Sequence, residues 1–261
     1  DTFNCVYIYD NTDKQDALEK NRDFFRKYPD FIYISNASND GLSRAYNEMC
    51  RRAISHGYDY ICLFDQDSLI SSDNLQYMIH HITNDPSNDV GIYAPKIIYS
   101  TQKNNRIHHH ESAEPEEIEW AISSGSFINL SIYQRTHGFD ENYFIDRLDY
   151  DYCVEIRQKG FKIVRINSAH LYQSLGEVVN SKISQHTPIR HYYMARNRFY
   201  FYHKKIRMSS LRRITLLTGL TVKHLLQILK NEELKLLKAR MIIKGVCDFY
   251  QGKMGKLDGR Q

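Results

Sequence analysis

The sequence predicts an α/β fold built on a Rossmann-like sheet flanked by helices, and three observations carry the prediction. Short β-branched and aromatic runs alternate with helical stretches up to residue 64. Residues 60–64 (YICLF) are apolar throughout, as a strand covered on both faces would be. An apolar fraction of 42% over 261 residues suffices for one large domain, or one domain with an extension.

Residues 5–9 (CVYIY) form the first predicted strand, stopped by the turn-forming cluster DNTD at 10–13. A helix follows from about 14 to 28, closed by Pro29, and residues 31–34 (FIYI) are the next strand. After Asn39-Asp40-Gly41, the apolar positions 42, 45, 46, 49, 53 and 54 have helical spacing, with a stop at Gly57. The run at 60–64 completes strand–helix–strand–helix–strand, the signature of parallel strands joined by right-handed crossovers. Ligands of such sheets sit beyond the carboxyl ends of the strands, and Asp10 and Asp65 each directly follow one.

Further on, Ser72-Asp73 starts a helix to about residue 84, 90–93 is a strand, and 100–119 is polar and loop-like. Residues 125–130 and 161–166 read as strands, with a helix at 149–159 between them. From 208 to 246 the pattern is almost wholly helical, with leucines in stripes. The chain thus divides into residues 1–206 and a basic amphipathic helical extension, 207–261.

Charge follows the same division. From Arg207 onward there are 12 Lys and Arg against 4 Asp and Glu, whereas the first 206 residues hold 23 against 27. A basic tail on a slightly acidic body points to an anionic partner. It lacks the arginine density and aromatic interleaving of a nucleic-acid binder, so no nucleic acid is expected. No run of 18 apolar residues argues for a spanning helix, and no secretory signal opens the chain at Asp1. Five widely spaced cysteines without a CxxC predict reduced thiols, not a disulfide frame or a zinc knuckle.

The sharpest chemical feature is Asp65-Gln66-Asp67. Most bare D-x-D tripeptides are helix caps or surface turns. At the mouth of an apolar strand, however, two carboxylates one residue apart can hold Mg²⁺ or Mn²⁺, which favour carboxylates and substrate phosphate oxygens. Asp146, Asp149 and Asp151 form a second acidic cluster. They can simply favour the helix dipole, or supply the carboxylate base that sugar transfer to a hydroxyl requires. Asp149 would start the helix and face the crevice, while Asp151 supports the turn. His108-His109-His110 lies in a polar loop without ligand spacing and reads as solvated. Arg190, Tyr193 and Asn197 share one helical face, and the arginines suit either diphosphate or ion pairs with the acidic body.

Together these residues resemble the family 2 glycosyltransferases, which have the GT-A fold, in particular bacterial rhamnosyltransferase-like members. The matching stretches are YDNT at 9–12, NASNDGLSRAYN at 36–47, FDQDS at 64–68 and SG at 124–125. They continue with GFDE at 138–141, FID at 144–146, DYDYC at 149–153, LGE at 175–177, RHYY at 190–193 and RN at 196–197. The likeness runs in order along nearly the whole chain. It implies that Asp10 binds nucleobase or ribose, with Asn11, Asn36, Asn39 and Gly41 lining the nucleotide pocket. Asp65 and Gln66 would meet the ribose side, and Asp67 the metal and diphosphate with Asp65 beside it. Asp149 matches the family's base. Trp120, Ser124, Gly125, Asp146, Arg190, Arg196 and Asn197 would serve the acceptor and diphosphate. Trp120 reads equally as a sugar-stacking or a core residue.

The resemblance also implies a further strand and helix before residues 6–11, which this sequence does not contain. It places Gln173 where many relatives have a metal-facing histidine, with His170 as a substitute. The implied function is inverting transfer of a sugar, first L-rhamnose from dTDP-rhamnose, to a hydroxyl of a bacterial cell-surface polysaccharide or lipid-linked glycan. The alternatives are a UDP-hexose or UDP-N-acetylhexosamine donor, or an inactive relative that binds nucleotide or glycan. A cytoplasmic enzyme peripheral to the inner face of the membrane is expected, with the tail on an anionic membrane surface. The competing use of the tail is a hairpin packed on the catalytic domain or forming a homodimer.

Overall fold

A computed structural model describes residues 3–99, 114–173 and 186–257, and the backbone of 178–179 and 183–184. The predicted alternation is present at the start, as β1 (Val6–Asp10), α1 (Gln15–Phe25), β2 (Phe31–Ser35), α2 (Leu42–Ser55) and β3 (Tyr60–Cys62). Next come β4 (Ser68–Ile70), α3 (Ser72–Asn84), β5 (Val90–Tyr99), β6 (Glu116–Glu117), β7 (Phe127–Asn129) and the short α4 (Leu130–Tyr133). The chain continues through α5 (Leu148–Gln158), β8 (Lys162–Gln173) and the small pair β9 (Val178–Val179) and β10 (Ile183–Ser184). It ends in three helices, α6 (Pro188–Lys204), α7 (Ser210–Asn231) and α8 (Lys235–Tyr250).

The pairing differs from the simple parallel sheet expected from the order of elements. β1 and β2 are parallel, but they form a two-stranded sheet of their own. β3 belongs to a six-stranded mixed sheet ordered β3-β7-β5-β8-β4, with β6 also on β8. There β3 runs antiparallel to β7, and β5 parallel to β8. An apolar strand reports burial, not the direction of its neighbour, so the alternation alone could not show this.

Helices cover both faces of the larger sheet. On one side Tyr46, Leu148, Tyr152 and Ile156 from α2 and α5 close over Ile61, Leu63 and Ile128. On the other, Leu75, Met78 and Ile82 of α3 pack on Val90, Tyr93, Phe127 and Ile166. Ser71 caps α3, its hydroxyl accepting from the Asn74 backbone N–H at 3.2 Å. The five cysteines form no disulfide, and Cys50 and Cys153 are buried, whereas Cys247 is exposed.

The basic extension is not a separate body. α6 lies along α8, and Ala195 packs with Ile228 of α7 and Ile242 of α8. At the α6–α8 crossing a Cβ on Gly245 would stand 2.5 Å from the Tyr192 carbonyl oxygen. Gly245→Ala must therefore push two helices apart, an overpacking cost of about 1–3 kcal/mol. A fall of several degrees in the thermal melting midpoint is expected for this variant. Among the described residues no helix is long and apolar enough to cross a membrane.

Candidate active site

The crevice is built where the ends of β1, β2 and β3 meet the starts of α2 and α5. Asp10 ends β1 and turns inward. Its Oδ1 accepts from Thr12 N at 2.9 Å, and its Oδ2 from Asn21 Nδ2 at 3.0 Å and from the Tyr33 hydroxyl. Burial alone would raise this carboxyl, but the three donors outweigh it and hold it below the ordinary range. Asp10 thus braces the loop after β1, with little acceptor capacity left for a nucleobase or ribose.

The loop between β2 and α2 is organised by Asp40, to which the sequence reading gave no role. Its carboxylate accepts from Tyr9 Oη at 2.9 Å, Asn36 Nδ2 at 2.7 Å and Ser38 Oγ at 2.7 Å. Asn11 Oδ1 accepts from Asp40 N at 3.0 Å, and Asn39 Oδ1 from Gly41 N at 3.2 Å. Gly41 has φ +83°, and a Cβ there would stand 2.5 Å from the Phe144 carbonyl oxygen. That close approach lets Leu42 N donate to Phe144 O at 2.8 Å, tying the start of α2 to the acidic segment before α5.

Asp65 leaves β3 half-buried, while Gln66 and Asp67 are exposed beside it. Burial, and then the Asp67 charge, push the Asp65 carboxyl up; Tyr46 and Arg190 pull it down. The Tyr46 hydroxyl donates to Asp65 Oδ1 at 3.0 Å and accepts from Ser123 Oγ at 3.1 Å. Ser68 pairs with Gln173 across β4 and β8, which sets Gln173 one register position from Asp67. His170 is three residues away on a regular stretch of the same strand, so it projects from the opposite face.

Asp149 stands in the first turn of α5. Burial raises its carboxyl to about 7; the Ser123 hydroxyl and N–H oppose the rise, and Asp65 and Asp146 reinforce it. Its Oδ1 is buried without a hydrogen-bond partner. Such an orphan is rare, and it suits a group that must keep a lone pair for a proton. Asp146 is also pushed up by burial, eased by Arg147, Arg190 and Arg198. Asp151, by contrast, is fully buried and ion-paired to Lys205 at 2.9 Å, so it supports the turn.

Four acceptor-side expectations change. Ser124 is wholly buried, donating to Ser68 Oγ at 2.7 Å and accepting from Asp65 N at 3.2 Å, so it braces the carboxylate loop. Gly125 is buried and bonded to Leu63 O at 2.7 Å. Arg196 is buried too, its Nη1 donating to Gly255 O at 2.8 Å and its guanidinium lying over the Tyr192 and Tyr193 rings. Asn197 is buried against the backbone of Ile145 and Asp146. The family resemblance suggested all four as ligands; in the structure they are buried and act as struts. Arg190 and Trp120 stay outside, the latter 59% exposed and edge-on to Tyr150 at 4.8 Å, which is not a core position. His108 to His110 and the LGE stretch lie outside the described residues.

The oxygen donors Asp65, Asp67 and Gln173 suit a hard divalent cation. Among the described residues no three His, Cys, Asp or Glu side chains form a ready-made metal cluster. Mg²⁺ does not need one, since it takes one or two carboxylates and completes its shell with water and phosphate.

The chain is 26% identical over 213 residues to the dTDP-rhamnosyl transferase RfbF of Shigella flexneri, covering 75% of this chain and 70% of that protein. Among solved structures it resembles the mannosyltransferase PcManGT of Pyrobaculum calidifontis in complex with GDP-Man and Mn²⁺. That match has a TM-score of 0.52 and 14% identity over 97% of this chain and 67% of the other. S. aureus TarS with UDP-GlcNAc matches at TM-score 0.51 and 13% identity, over 95% and 72%. GalNAc-T7 with UDP, GalNAc and Mn²⁺ matches at TM-score 0.53 and 10% identity, over 83% of this chain but only 48% of that one. These structures establish the GT-A fold. The sequence model of glycosyl transferase family 2 matches residues 2–154, more than half of the chain, and the protein belongs to that family.

Proposed function

We propose that this chain transfers a sugar from a nucleoside diphosphate to a hydroxyl in one in-line displacement that inverts the anomeric centre. The acceptor oxygen bonds to the anomeric carbon as the bond to the diphosphate breaks. Asp149 takes the acceptor proton, and the diphosphate leaves with the electron pair. The observation that carries the reading is the Asp149 carboxyl, raised to about 7 with one oxygen unpartnered, beside Asp65. Asp65, Asp67 and Gln173 would hold Mg²⁺ or Mn²⁺, which when bound offsets charge on the departing diphosphate. Arg190, exposed and facing Asp65 and Asp146, adds a second positive charge on that side. Trp120 offers a face to a sugar ring.

The first donor is dTDP-L-rhamnose, supported by the likeness to a protein named for that donor. UDP-hexose or UDP-N-acetylhexosamine is the alternative, as two of the structural relatives carry UDP or UDP-GlcNAc. The acceptor would be a bacterial cell-surface polysaccharide or a lipid-linked glycan, reached from the cytoplasmic side of the membrane.

Thermal stabilisation by a panel of nucleotide sugars, with and without Mn²⁺ or Mg²⁺, tests the donor and the cation together. A ligand at 100 times its Kd adds about 2.7 kcal/mol, a shift that is easily read. Stabilisation by dTDP-rhamnose that deepens with cation is expected, and Asp67→Ala should erase the cation-dependent part. Binding without turnover of any donor would instead identify an inactive relative.

A further inference from the structure

The sugar-transfer site leaves one large feature unused, the outer surface of the α7–α8 hairpin. α7 turns Leu217, His224 and Ile228 inward. Roughly a third of a turn away, Leu211, Ile214, Val222, Leu226 and Leu229 are exposed, Leu211 to 77%. No charged residue interrupts this face, since the intervening Thr215 and Thr218 are neutral. A further third of a turn brings Arg212, Lys223 and Lys230 into a row beside it. At the turn into α8, Leu234, Leu236 and Leu237 are exposed, Leu236 to 86%, next to Lys235 and Arg240.

Soluble surfaces rarely expose so continuous an apolar stripe, and charge decides what covers it. Among the described residues, Arg212, Lys223, Lys230, Lys235 and Arg240 form no ion pair, whereas two acids of the same region are turned inward. Glu232 is held by Lys238 at 2.7 Å and Asp248 by Lys244 at 2.9 Å, leaving Glu233 as the exposed acid at the turn. A second copy would bring the same unneutralised basic row to its partner. An anionic bilayer neutralises that row while taking up the leucines.

We infer that the α7–α8 hairpin seats this protein on an anionic lipid surface, with the Leu211–Leu229 face of α7 and the leucines of the turn immersed at the headgroup boundary. The inference deepens the transferase reading by placing the site beside a lipid-linked acceptor. It is tested without donor or acceptor, so each can fail alone.

The test is co-sedimentation of the full chain with phosphatidylcholine vesicles, or with three parts phosphatidylcholine to one part phosphatidylglycerol. Binding to the anionic vesicles only, weakened by salt, is expected. Leu226→Glu with Leu229→Glu should abolish it. Lys223→Gln with Lys230→Gln should weaken it roughly 25-fold, at about 1 kcal/mol per basic residue. All four positions are exposed, so unchanged melting curves are expected and exclude misfolding. Failure of the parent chain to bind anionic vesicles would overturn the inference. So would a dimer, seen by light scattering, that the leucine pair dissolves while vesicles are ignored.

Discussion

Asp149→Asn is expected to lower the turnover number by about a thousandfold or more, while binding of the donor nucleotide stays within about twofold. General-base catalysis is typically worth 10²–10⁴. The amide keeps the shape of the side chain but cannot accept the acceptor proton. The same carboxyl sets the pH dependence. With its pKa raised to about 7 by burial, against Ser123 and with Asp65 and Asp146, the base is protonated and idle at lower pH. Activity should therefore fall as pH drops through about 7 and level off above it. The profile is best measured with saturating cation, since charge neutralised at Asp65 moves the midpoint down.

Stability should move the other way. The folded-state pKa of Asp149 lies above the unfolded value near 3.9, so the ionised form opposes folding at neutral and alkaline pH. Below the unfolded value both states are protonated and the penalty vanishes. Asp149→Asn should consequently melt higher than the parent at pH 8, with the gain shrinking toward pH 4. An inactive variant that also melts lower would indicate a structural residue instead. Full activity would remove Asp149 from the mechanism.

The parts of this site that the sequence revealed are those encoded locally. The apolar run ending at Asp65 and the spacing of Leu42, Ala45, Tyr46, Met49 and Ala53 need only a few neighbouring residues to be read. β4 escaped because three residues cannot show a period, and its partner, Leu171–Gln173, is about a hundred residues away. The strand expected at residues 90–93 is longer in the structure, as β5. It continues to Tyr99 because the pairing with β8 shifts register at Pro95 and Lys96, where a missing N–H is tolerated. Tyr46 and Ser123 were missed for a related reason. Each is ordinary by type, and only the fold brings their hydroxyls to the carboxylates. Ser124, Arg196 and Asn197 misled in the opposite direction, because the family resemblance suggested a ligand where burial makes a brace.

That brace at Asn197 gives the second large effect. Asp146 and Arg147 both adopt the left-handed conformation, with φ +68° and +66°, immediately before α5. Two consecutive non-glycine residues in that region cost about 1–2 kcal/mol each, and something must hold them there. Asn197 does so from α6, its Nδ2 donating to Ile145 O at 2.6 Å and to Asp146 O at 3.0 Å. Arg196 Nε donates to Asn197 Oδ1 at 3.1 Å and fixes the amide the right way round. Asn197→Ala removes both donors and lets the turn relax, which swings the first turn of α5 and the Asp149 carboxylate with it. A displacement near 1 Å can cost about 10²-fold in rate. The turnover number should thus fall roughly 10- to 100-fold while the donor KM changes little, since Asp149 serves the acceptor. Leaving the two carbonyls unpaired should also lower stability by about 1–3 kcal/mol. Arg147→Gly separates positioning from simple destabilisation, because glycine enters the left-handed region freely. In the Asn197→Ala background it should recover part of the lost turnover. If Asn197→Ala melts lower yet turns over at the parent rate, the contact holds the fold and not the base.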